Sequence, residues 1–273
     1  MKKFSAFAFS ALTAFTLAGA APTLAQGFES VRDTQILNGW RERDGTRMAA
    51  FRIDLNEGWK TYWRAPGETG IPPQFDWSRS RNVASVQFHW PRPGIHDNAG
   101  VRTIGYKDAL ILPVEITPID PSQPVHVNVQ MKLGVCEEVC IPLTLDFTDD
   151  LIGNTGPEAQ QTDIRLAMAQ KPQSGRSAGM GQVQCTSSPI SDGMVLTASL
   201  PGHRIGNDDV VVFELPDQKI WISSAQLTRE GNTLLAQVDM VPPSATPFAL
   251  DRSQVRITVI GEDRAVDIQG CHG

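Results

Sequence analysis

"VHVNVQMKLGVCEEVCIPLTLDF", residues 125–147, alternates apolar and polar side chains on both sides of a short acidic interruption. Val125, Val127, Val129, Met131 and Leu133 recur with period two, the spacing of a strand with one buried face. "CIPLTLDF" (140–147) reads as a second strand, and Glu137, Glu138 and Val139 form the tip of the hairpin between them. A helix would also bring Cys136 and Cys140 together as i and i+4 neighbours, but the valine alternation and Pro142 argue against it. Two cysteines flanking a hairpin tip can reach bridging distance. Pro142 cannot donate to a sheet ladder, so it points to an edge strand open to another protein.

Working outward, "RMAAFRIDL" (47–55), "SVQFHW" (85–90) and "ALILPVEI" (109–116) are short runs of the same kind, separated by Gly, Pro and Asn clusters. The expected class is all-β: two antiparallel β-sandwich, immunoglobulin-like units joined by a short helix and linker. The first unit spans 27–155. "GPEAQQTDIRLAMAQKP" (156–172) predicts the helix, opened by Pro157 and stopped by Pro172. "QSGRSAGMGQ" (173–182) has linker composition, so helix and linker occupy 156–181. A second strand-rich unit follows over 182–273.

Met1, Lys2 and Lys3 precede an apolar, Ala- and Ser-rich run ending in "PTLAQ", the pattern of a signal peptide over residues 1–25. The expected location is therefore the periplasm, with no direct membrane insertion by the mature chain. The net charge of −6, which grows more negative once Lys2 and Lys3 are removed, argues against nucleic acid as a partner.

Four cysteines allow three pairings, and spacing favours Cys136 with Cys140 and Cys185 with Cys271. On a chain-entropy estimate the long loop stabilises by about 4.6 kcal/mol and the short one by about 2. Cys185 and Cys271 are thus expected to form a structural disulfide tying the ends of the second unit. The 136–140 bond holds little together, which turns attention to redox or ligand chemistry. Glu137 and Glu138 disfavour a thiolate beside them, the opposite of a strongly oxidising site. They can equally be solvated turn residues.

The ordered set "GWKTYWRAPGETGIPPQF" (58–75), "GYKDALILPVEI" (105–116) and "GVCEEVCIPL" (134–143) resembles the N-terminal periplasmic domain of the DsbD thiol:disulfide interchange family, closest to the suppressor-of-copper-sensitivity B type. The resemblance covers roughly residues 30–150 and leaves out the family's transmembrane and thioredoxin-like parts. It implies an immunoglobulin-like sandwich with a redox pair, Cys136 and Cys140, and Cys140 as the sulfur that enters a mixed disulfide. It also implies a membrane-embedded electron donor and a periplasmic thioredoxin-like or disulfide-bearing client. DsbD spaces its pair more widely and shields it with a cap loop bearing acids and an aromatic. The matching stretch here, "HDNAGVRT" (96–103), has no aromatic. Asp97 is a stand-in for a cap carboxylate, and Tyr62, Trp63 and Tyr106 are candidates to line the site with Glu137 and Glu138. Tyr62 and Trp63 are adjacent, so a strand turns them to opposite faces.

The relay needs no cofactor. The alternative is a copper-binding or copper-tolerance protein using Cys136, Cys140 and His96, since thiolates select soft copper. The chain has no G-x-S-x-G elbow, H-E-x-x-H helix or phosphate loop, so hydrolase and nucleotide readings lack support.

Overall fold

A computed structural model describes residues 30–67, 70–98, 101–202 and 209–273; the proposed signal segment and His203 lie outside these. The first unit contributes ten strands: β1 (Val31–Arg41), β2 (Arg47–Leu55), β3 (Lys60–Tyr62), β4 (Gln74–Asp76), β5 (Ser85–Phe88), β6 (Gly94–Asn98), β7 (Val101–Lys107), β8 (Ala109–Thr117), β9 (Val125–Cys136) and β10 (Cys140–Leu151). They form a four-stranded sheet in the order β1-β2-β8-β5 and a six-stranded sheet in the order β10-β9-β3-β7-β6, with β4 also pairing β9. β3 takes the end of β9 nearest the hairpin tip and β4 the part before it, through the pairs Lys60 with Cys136 and Gln74 with Lys132. The chain leaves the sheet between these two short strands, and that excursion crosses the candidate site.

The alternation along β9 does what period two requires. Val125, Val127, Val129, Met131, Leu133 and Val135 are buried between the sheets, while Lys132 points outward. Phe51, Ile53, Trp63, Leu112 and Ile116 fill the same space. Phe51 meets Phe147 at a ring separation of 4.8 Å and Phe75 meets Phe88 at 4.2 Å, so aromatic contacts reinforce the apolar burial that drives the sandwich together.

Helix α1 (Glu158–Ala169) does more than connect. Its Ile164 is buried against Leu37, Met48 and Ala50, so it covers the outer face of the four-stranded sheet. Lys171 follows, and its Nζ donates to His89 Nδ1 at 2.9 Å. The ring proton then sits on Nε2, which donates to Glu115 at 3.0 Å.

The second unit has β11 (Gln173–Ser174), β12 (Gln184–Ile190), β13 (Gly193–Pro201), β14 (Val210–Glu214), β15 (Trp221–Ile222), β16 (Gln226–Glu230), β17 (Thr233–Val241), β18 (Arg256–Ile260) and β19 (Ala265–Gln269). One sheet runs β11-β19-β18-β14, the other β12-β13-β17-β15 with β16 also on β17. The expected linker is in part a strand: β11 pairs β19, and in parallel. Leu196, Ala236, Met240 and Ile257 belong to this core, as do Cys185 and Cys271, which are joined by a disulfide.

The two units are packed together. Val210, Ile260 and Ala265 of the second are continuous with the core of the first. Arg64 lies between them, its Nε and Nη2 each donating to Glu214 at 2.9 Å. The guanidinium stacks 3.9 Å above the Trp63 ring.

Candidate redox site

β9 and β10 pair in unbroken register from Val125–Leu151 to Cys136–Cys140, with Glu137, Glu138 and Val139 as the three-residue tip. Cys136 and Cys140 are joined by a disulfide. The two sulfurs are not equally open. Cys136 is 7% exposed, whereas Cys140 is exposed at the end of the edge strand. The expectation of an edge open to another protein thus holds at Cys140 and not at Cys136, which lies on the outer face of the sheet and is covered there.

Tyr62 is one of the groups against it. Its hydroxyl is 3.1 Å from Cys136 Sγ and 2.9 Å from Cys140 Sγ. A disulfide sulfur carries no hydrogen, so the phenol must be the donor, sharing one proton between the two sulfurs. Burial pushes the Tyr62 phenol above its usual pKa, which keeps that proton in place. Tyr62 reaches from β3 because Gly134 has no side chain. A Cβ at Gly134 would stand 2.7 Å from Tyr62 Cε2 and 2.8 Å from Ile71 Cβ. The ring therefore lies across β9, with Ile71 of the excursion packed on the same glycine. A conformational glycine supports the other flank: Gly58, at φ +85°, adopts a backbone that L side chains rarely take. A Cβ there would meet Glu137 Oε1 at 2.8 Å, so the Glu137 side chain folds back over the Gly58 turn. Glu138 is exposed at the tip beside Val139, which is 70% exposed.

The other candidates go elsewhere. Trp63, next to Tyr62, points the opposite way and is completely buried in the sandwich core. Tyr106 is also buried, and its hydroxyl donates to the Pro91 carbonyl at 2.8 Å. Both were expected near the pair and are not, because strand alternation sends them inward. Asp97 is paired with Arg102 at 3.1 Å across the β6–β7 hairpin, and among the described residues no hydrogen bond joins it to the cysteines or Tyr62. His96 lies on β6, three strands from β9. The described residues contain no group of three or more His, Cys, Asp or Glu placed to hold a metal. The set Cys136, Cys140 and His96 is therefore not assembled in this oxidised chain.

Lys60 and Lys107 were missed by the sequence reading. Lys60 pairs directly with Cys136, and Lys107 with Lys60, so all three project from one face. Alternation holds the signal: Lys60 is two residues before Tyr62, so a strand that turns Tyr62 to the cysteines turns Lys60 there too. Chemically, the arrangement offers the exposed Cys140 to a nucleophile and the sheltered Cys136 as leaving group, with the Tyr62 hydroxyl donating to both sulfurs.

Residues 32–151 match the family described as thiol:disulfide interchange protein DsbD, N-terminal. Among solved structures, the N-terminal periplasmic domain of ScsB from Proteus mirabilis matches with a TM-score of 0.66 and 26% identity, covering 85% of this chain and 90% of that one. No curated protein matches. No helix among the described residues is long and apolar enough to cross a membrane. A sandwich of this topology, with a cysteine pair at the end of its β9–β10 hairpin, makes residues 32–151 a domain of the DsbD N-terminal type, a thiol–disulfide interchange domain.

Proposed function

We propose that the chain is a periplasmic relay that carries electrons through Cys136 and Cys140 between a membrane-embedded donor and periplasmic disulfides. A thiolate of the reduced donor attacks Cys140 Sγ, and the Cys136–Cys140 bond breaks with Cys136 leaving as thiolate. The donor's second thiolate then attacks the donor sulfur of the mixed disulfide and releases Cys140, and Cys136 and Cys140 each take up a proton from solvent. The donor ends as a disulfide and the pair as a dithiol, two electrons richer. Running the same exchange in reverse on a client disulfide, of a thioredoxin-like protein or another bridged substrate, returns the pair to its oxidised form.

The observation that carries this reading is the asymmetry of the bond: Cys140 is exposed, Cys136 is buried, and Tyr62 donates to both sulfurs. In-line attack requires access to one sulfur, and a donor shared by the pair can follow the charge as the other departs. The test is a trapping experiment. A reduced thioredoxin-fold protein with its resolving cysteine replaced is mixed with the oxidised chain, and the adduct is mapped by mass spectrometry. Attachment at Cys140, lost in Cys140→Ser with the fold retained, is expected. Attachment at Cys136, or no adduct at all, overturns the reading.

A further inference from the structure

The tip carboxylates Glu137 and Glu138 oppose formation of a thiolate on the hairpin, and exchange at Cys140 nevertheless has to leave one on Cys136. The register sets Lys60 beside Cys136 and Lys107 one strand further on, in one row across β9, β3 and β7, on the face that carries Tyr62. Directly paired residues bring their Cβ atoms to about 5 Å. Lys60 is half-buried, and among the described residues neither lysine forms an ion pair with a carboxylate. His96 is close enough to both lysines for their charge to hold its pKa down, after the larger effect of its own burial.

We propose that Lys60, backed by Lys107, stabilises the thiolate released on Cys136 and so fixes Cys136 as the leaving group and Cys140 as the sulfur attacked. The inference rests on the relay reading and deepens it. In the exchange step the partner thiolate forms its bond to Cys140, the 136–140 bond breaks, and the electron pair departs on Cys136 Sγ beside the Lys60 ammonium. No proton is needed at that moment. A lower thiol pKa makes a better leaving group, so the cation accelerates attack at Cys140 relative to attack at Cys136.

The titratable groups on this sheet face are Tyr62 and Lys60 from β3, beside β9, then Lys107 from β7 and, a strand further away, His96 from β6. Glu137 and Glu138 come from the tip, with Glu57 and Asp108 in the neighbouring turns. Lys60 has the directly paired position among them. A unit charge at about 6 Å, at an effective dielectric between that of a protein surface and water, shifts a thiol by about one pKa unit.

The test titrates Cys136 alone, in a Cys140→Ser chain that keeps the 185–271 bridge, by ultraviolet thiolate absorbance against pH. Lys60→Gln is expected to raise the Cys136 pKa by about one unit, a tenfold loss of thiolate at a given pH below it. Lys60→Arg should restore the original titration. Lys132→Gln, on the same face of β9 but four residues before Cys136, should leave it unchanged. An unmoved pKa in Lys60→Gln, an equal rise in Lys132→Gln, or no rescue by arginine overturns the proposal. The titration needs no partner, so its outcome is separable from that of the trapping experiment: adducts at Cys140 with an unmoved pKa would sink the lysine and leave the relay standing.

Discussion

Gly134→Ala is the smallest change that acts on the thiol pair without touching it. The added Cβ would lie 2.7 and 2.8 Å from two carbons of the Tyr62 ring and 2.8 Å from Ile71 Cβ, well inside van der Waals contact. The ring has to lift from β9 by up to an ångström or so, or the segment around Ile71 has to move. Overpacking of this kind costs about 1–3 kcal/mol. The lift also draws the Tyr62 hydroxyl from sulfurs it now meets at 2.9 and 3.1 Å. In the reduced protein a hydrogen bond to a thiolate contributes about 1.5–3 kcal/mol, so its loss raises the Cys136 pKa by about one to two units. The assays are urea denaturation of the oxidised chain and thiolate titration of the reduced one. Tyr62→Phe keeps the ring and removes the hydroxyl, so it should shift the titration without the packing cost. The double variant should titrate like Tyr62→Phe, because both substitutions remove one interaction. A Gly134→Ala protein with wild-type stability and a wild-type titration would refute the argument that this glycine makes room for the tyrosine.

Three further outcomes follow from the fold. Replacing Cys185 and Cys271 with alanine should cost about 4.6 kcal/mol, against about 2 for the 136–140 pair, since the closed loops span 86 and 4 residues of separation; denaturant midpoints give the ordering, and the reverse order would make the short bridge the structural one. Glu214→Gln leaves the Arg64 charge, 12% exposed between the two units, without its carboxylate. A loss of about 3 kcal/mol is expected, read by denaturation, and a loss near zero would mean that the pair does not hold the units together. Burial, and then Lys171, lower the His89 pKa from 6.5 in the folded state. Well above pH 6.5 both states hold a neutral ring and the effect vanishes. Below it the unfolded chain takes the proton first, so stability should fall with pH until the lower folded pKa is passed. His89→Gln should remove this part of the pH dependence.

The hairpin that carries the site was legible because nothing interrupts its alternation, and Glu137–Val139 stand out as the break between two apolar rows. β2 and β8 were found instead as short apolar runs between turn residues, since neither alternates cleanly. β1 was not, since register shifts at Val31/Asp33 and Asn38/Trp40 spoil its period. The segment after α1 has linker composition, yet Gln173 and Ser174 pair with β19 through backbone groups alone, which side-chain patterns do not report. At the site, the sequence named Tyr62 but could not rank it above Trp63 or Tyr106. Choosing among them needs the face each strand presents, and that depends on which residue pairs with Cys136. The same pairing brings in Lys60, and the passage of Ile71 over Gly134 belongs to a connection whose path no local pattern encodes. His96 looked like a ligand beside Asp97 because loops were free to move it, whereas β6 fixes it three strands away.

The whole account turns on a bond that anchors little and can be opened from the Cys140 side. Its reduction potential, measured by equilibrating the intact chain against glutathione or dithiothreitol buffers, tests that claim most directly. A value above about −300 mV, in the range of proteins that exchange disulfides, is the predicted result. A value below it would make Cys136–Cys140 an inert brace and contradict the relay.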